Sequence, residues 1–143
     1  MDMITELFIK MCEMDKEIQR VWKPVDWDIF AYKYSRGLGM GWEVIGVKDR
    51  QQYIKENCIW LPTQEQLQSI LQSWCEQEYK SHLTGLSNGD SINLYMVENV
   101  AKFADNNWQY LPDINMLWLA FVMYEKYHKQ WTGKDWKTIE GGK

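Results

Sequence analysis

The unbroken apolar run from Met116 to Tyr124 (MLWLAFVMY) constrains this chain more than any other feature. A helix that is apolar on every side must be covered on nearly every side, so the run predicts a central helix around which the protein packs. Pro112-Asp113 is typical of its start. Lys126 and Lys129 lie where cations favour the helix dipole of the last turns, and Gly133 is predicted to end the helix.

The N-terminal half predicts one helix followed by a small sheet. Residues 3–22 carry apolar side chains at three- and four-residue steps, which indicates an amphipathic helix that Pro24 closes. Aromatic and β-branched residues then favour strands. The predicted strands are Asp26–Tyr34, Trp42–Val47 and Cys58–Leu61, with a glycine-rich turn at Ser35–Gly41 between the first two and a polar connection at Asp49–Gln52 before the third. Segments this short and close suggest an antiparallel meander.

Two further helices are predicted between the sheet and the central helix. Thr63 and Gln66 have the capping-box spacing, and Leu67 to Trp74 supplies a buried stripe behind them. Asp90 or Ser91 can cap the next helix, Ile92 to about Asp105. Its predicted buried residues are Met96, Val97, Val100, Phe103 and Ala104. The fold class is therefore α+β: an N-terminal helix, a small antiparallel β-meander and three C-terminal helices packed as one domain over residues 1–143, with 140–143 as a flexible tail.

Charge and cysteine usage exclude several classes of protein. The net charge is −4 and no cluster of Lys or Arg is present, which disfavours direct nucleic-acid binding. Three cysteines without close spacing argue for a reducing compartment. The N-terminus has acidic residues where a signal peptide needs basic ones. The apolar run Met116–Tyr124, at nine residues, is too short to span a bilayer. We therefore expect a cytoplasmic protein that does not enter a membrane.

The sequence contains no recognisable catalytic or metal-binding motif. Gly37–Gly41 resembles a phosphate-binding loop, but a strand-like segment follows it, which favours a hairpin turn. The possible metal ligands lack the paired spacing of a zinc site, so no metal and no cofactor are expected. These ligands are Cys12, Cys58, Cys75, His82 and His128. No nucleophile lies in a known motif beside a base, so enzymatic activity stays open but is the less favoured alternative.

The aromatic residues supply the only candidate binding residues. Nine Trp and eight Tyr are many for 143 residues, and they indicate either a binding patch or a core filled with indoles. Trp131 and Trp136 flank a glycine turn, where they either stack on a ligand or, as we favour, fold back over the central helix. A possible small-molecule pocket is lined by Trp27, Tyr32, Trp42 and Trp60, with Asp28, Glu43 and Arg36 as its polar groups.

Two sequence blocks resemble a group of small phage and prophage proteins. These blocks are Ile59–Gln68 (IWLPTQEQLQ) and Leu117–Tyr127 (LWLAFVMYEKY), the latter followed by Trp131-x-Gly-x-x-Trp136. The group is uncharacterised and is encoded by tailed phages and prophages, chiefly of Gram-positive gut bacteria. Its members usually have Arg where this chain has Thr63, and nothing in the group matches residues 77–112. The resemblance implies an origin, and no activity or site residue comes with it.

Three functional hypotheses follow. The first is a phage or prophage accessory protein in the host cytoplasm that acts as a protein-interaction module, binding a host or phage protein and modulating a host pathway or defence system. The alternative is a small-molecule-binding protein or enzyme with the aromatic pocket described above. The third is a homo-oligomeric virion or assembly component. The sequence leaves the oligomeric state open.

Overall fold

The computed structural model describes residues 3–26, 28–32, 39–41, 51–78, 88–107, 111 and 113–139. These ranges combine helices with short antiparallel strands, which confirms the α+β class. The chain divides into two compact units, and each is described by itself below. The first comprises residues 1–63 and 131–137, and the second comprises 64–130 and 138–143. The expectation of one domain stays a prediction.

The described residues form six helices and five strands. The helices are α1 (Met3–Glu13), α2 (Lys16–Val21), α3 (Gln51–Asn57), α4 (Gln64–Glu78), α5 (Asn88–Asn107) and α6 (Ile114–Tyr127). The strands are β1 (Phe30–Tyr32), β2 (Gly39–Gly41), β3 (Cys58–Trp60), β4 (Lys129–Trp131) and β5 (Trp136–Thr138). Within the described ranges, no helix has both the length and the apolarity needed to cross a bilayer.

The predicted N-terminal helix is interrupted at Asp15. Asp15 leaves the helical conformation, and its buried carboxylate accepts a hydrogen bond from the backbone N–H of Ile18 at 3.0 Å. Asp is a poor residue inside a helix and a good one at its N-terminus, because its side chain bonds nearby backbone N–H groups. The sequence pattern therefore predicts the buried faces, but α1 and α2 are separate helices.

The three-stranded sheet of the first unit has the order β2-β1-β3, and both pairings are antiparallel. Phe30 lies opposite Gly41 on one side and Trp60 on the other. A meander would place the second strand in the centre, whereas here the first strand takes that position. Phe30 and Ala31 of the central strand are buried, and so are Cys58, Ile59 and Trp60 of the edge strand β3.

Two local predictions for this region are wrong. Residues 39–41 pair as strand β2, although they belong to the predicted glycine-rich turn. Residues 51–57 form helix α3, part of which was expected to be a polar connection. Both differences arise from tertiary contacts: β2 is held by pairing with β1, and Ile54 of α3 is buried in the unit. The predicted strand at 42–47 and residues 33–38 of the first strand and turn lie outside the described residues.

The second unit contains α4, α5 and α6, and α6 packs against both of the others. Helix α4 begins directly after Thr63, as predicted, and buries Leu67 and Leu71. The predicted burial of the apolar helix is confirmed from Met116 to Met123, whereas Tyr124, the last residue of the run, is 45% exposed. Asp113 caps the N-terminus of α6 by accepting hydrogen bonds from the N–H groups of Asn115 and Met116 at 3.0 and 3.4 Å.

Helix α6 ends earlier than predicted. His128 takes the left-handed conformation, with φ of 55°, and its N–H donates to the carbonyl of Met123. Lys129 therefore lies in strand β4 instead of the helix, and Gly133 (φ 104°) serves the turn between β4 and β5. Lys126 does occupy the last turn of the helix, as predicted. The expected flexible tail at 140–143 lies outside the described residues.

Candidate interaction surface

Trp60, a residue of the predicted aromatic pocket, belongs to the core of the first unit. It is 6% exposed, and its ring stacks on that of Trp22 with a centroid distance of 6.1 Å and an interplanar angle of 2°. Among the described residues its buried Nε1 has no hydrogen-bond partner. Tyr32 is half-buried, and its ring lies nearly perpendicular (79°) to that of Phe30, with the ring centroids 5.5 Å apart. Trp27 and Trp42 lie outside the described residues.

Asp28, the predicted polar group of that pocket, organises a turn. One of its carboxylate oxygens accepts hydrogen bonds from Nε1 of Trp22 at 2.9 Å and from the backbone N–H of Val25 at 3.0 Å. The carboxylate is buried, so these charge-assisted bonds offset the cost of removing it from water. Asp28 thereby fixes the Trp22 ring that stacks on Trp60. The other two proposed polar groups, Glu43 and Arg36, lie outside the described residues.

Gln19 holds the backbone of Trp60 with its side-chain amide. Its Oε1 accepts from the N–H of Trp60 at 2.8 Å, and its Nε2 donates to the carbonyls of Trp60 and Cys12 at 3.0 and 3.1 Å. Strand β3 is at one edge of the sheet, and the amide pairs with it as a neighbouring strand would. Nothing in the sequence pattern predicts this long-range contact.

Trp131 and Trp136 are brought together by the β4–β5 hairpin. Their ring centroids are 5.2 Å apart with an interplanar angle of 60°, and both side chains are half-buried. Nε1 of Trp136 donates to the carbonyl of Met11 in α1 at 2.9 Å. The turn between them is held by the hydroxyl of Thr132, which donates to a carboxylate oxygen of Asp135 at 2.7 Å. Trp136 is thus an anchor of the hairpin on α1.

The described indoles contribute mainly to the interior. Of the six described Trp residues, Trp22, Trp60 and Trp118 are buried, and Trp74, Trp131 and Trp136 are half-buried. An interaction surface in the described part of the chain must therefore be sought among other apolar side chains. The large apolar side chains that are exposed include Val25 in the first unit and Val97 and Tyr124 in the second.

The possible metal ligands do not converge in the described residues, which contain no group of three or more His, Cys, Asp or Glu side chains placed to hold a metal ion. Cys12 is fully buried, and burial raises the pKa of its thiol, to which the nearby charge of Asp15 adds. A neutral buried thiol behaves as a small apolar group. Cys58 is also buried, and His128 ends α6. His82 lies outside the described residues, as does the side chain of Cys75.

Lys55 is the other described group with a shifted pKa. Its ammonium joins α3 to the end of α2 by donating to the carbonyl of Arg20 at 2.9 Å and to that of Trp22. Partial burial lowers the pKa of Lys55, and the nearby Lys23 lowers it further. Its hydrogen bonds satisfy carbonyls that a helix C-terminus leaves without partners, so we assign Lys55 a structural role.

Helix α5 carries the most exposed large apolar side chain of the described residues. Val97 is 63% exposed, although the sequence predicts it to be buried. Met96 is buried, and the half-buried Phe103 contacts Phe121 and Tyr124 of α6 with ring centroids at 5.5 Å in each case. Met96 and Phe103 therefore form the face that meets the rest of the unit, and Val97 lies about 100° away from Met96 around the helix.

Four residues of α5 form one apolar stripe, which we call the α5 face: Val97, Val100, Ala101 and Ala104. Their spacing of i, i+3, i+4 and i+7 places them together on the helix. Val97 and Ala101 are exposed, whereas Val100 and Ala104 are half-buried. The apolar positions from Met96 to Ala104 together span about 160° of the helix circumference, wider than the roughly 100° that suffices for packing on one side. This width is the sequence signal of a second face.

Comparison of the chain with protein-family models, with curated proteins and with solved structures gives no match. The described residues form a small α+β protein, and its helix α5 carries an apolar face of two exposed and two half-buried residues.

Proposed function

We propose that this protein is a small phage or prophage accessory protein that acts in the host cytoplasm as a protein-interaction module. It binds a host or phage protein and thereby modulates a host pathway or defence system. The phage origin comes from the resemblance in two sequence blocks. The binding role is supported by one structural observation, the exposure of the α5 face.

The α5 face supports binding for energetic reasons. Apolar surface left in water costs about 25 cal/mol for each Å² that a partner could cover. Single exposed apolar residues are ordinary, whereas a row of them on one helix marks an interaction site where it forms a contiguous patch of a few hundred Å² or more. Helices with such a row bind grooves or other helices through residues at i, i+3, i+4 and i+7, and the α5 face has this spacing.

Affinity capture tests the proposal. The tagged protein is used as bait in lysate of the host, alongside Val97→Glu and the control Val25→Glu. Val25 is 53% exposed and lies in the other unit, so both variants place a charge on an exposed valine. We expect a stoichiometric partner with the wild type and with Val25→Glu, and its loss with Val97→Glu. Absence of any partner under several growth conditions, or full retention by Val97→Glu, contradicts the proposal.

A further inference from the structure

We draw no further inference here: the strongest candidate, the α5 face on the surface of the second unit, is the apolar helix face already described for the proposed function, and nothing in the structure shows what covers it.

Discussion

Cys12 makes the stability of the first unit depend on pH. Because burial raises the pKa of its thiol, the native state holds this proton at pH values where the unfolded chain has released it. The stabilisation is complete below the unfolded thiol pKa of about 8.5 and is lost as the pH rises above it, by up to about 1.4 kcal/mol per pH unit.

The variant Cys12→Ala tests this pH dependence. Denaturant unfolding of both proteins from about pH 7 to about pH 10 gives their difference in unfolding free energy. We expect the wild type to lose stability relative to Cys12→Ala as the pH rises. The native thiol should also react slowly with a thiol reagent. A constant difference across the series would show that the thiol is not held neutral.

Gln19 is predicted to be important for the edge of the three-stranded sheet. Gln19→Leu keeps a similar volume but leaves the N–H and carbonyl of Trp60 without their side-chain partner. Buried backbone groups that lose their bonds cost about 1–3 kcal/mol in all, and urea unfolding measures the loss. Gln52→Leu is the control, since Gln52 is exposed on α3 and its bond to Glu56 lies at the surface. Equal effects of the two substitutions would contradict the role given to Gln19.

Helix α6 depends on its cap at Asp113. Asp113→Ala removes the acceptor for two N–H groups at the start of the helix and is expected to lower the unfolding free energy by about 1 kcal/mol. Asp113→Asn keeps an acceptor oxygen and is expected to lower the unfolding free energy by only a few tenths of a kcal/mol. Thermal unfolding followed by circular dichroism compares them. If Asn and Ala were equally destabilising, the capping bonds would not be the cause.

The sequence predicts the elements whose signals are local. The start of α4 after Thr63, the cap at Asp113 and the burial of residues 116–123 all follow from patterns within a few residues. The pairing of residues 39–41 with β1 depends on contacts with a distant part of the chain, and no local pattern contains it. The break at Asp15 has a local signal as well, because an Asp between two apolar helical segments is a typical N-cap.

The candidate site was less predictable than the fold. The aromatic composition predicts large buried or exposed rings without distinguishing between them, and the described indoles are buried or half-buried. The spacing of Val97 suits a buried stripe, so the sequence predicts it to lie in the core. A helix with a second, exposed apolar face and a helix with one wide buried face have the same residue pattern. Only the positions of the neighbouring helices distinguish the two cases. The aromatic pocket stays a prediction, since Trp27 and Trp42 lie outside the described residues.

At the scale of the whole molecule, the feature that we propose to carry function is one apolar helix face. The interior of each unit contains most of the described large apolar side chains, and the partly exposed α5 face is the surface that we propose for a partner. The polar networks around Gln19, Asp28 and Asp113 position structural elements. They are therefore expected to affect stability, whereas substitutions on the α5 face affect association.

Carbene footprinting tests most directly whether the α5 face is the surface that binds a partner. A photoactivated diazirine labels whichever side chains solvent reaches. The tagged protein is labelled in dilute buffer and in host lysate, then purified under denaturing conditions and digested. We predict that labelling of the peptide with Val97 and Ala101 falls strongly in lysate, while labelling of Val25 is unchanged. Undiminished labelling of the α5 peptide, with or without protection elsewhere, would contradict the account.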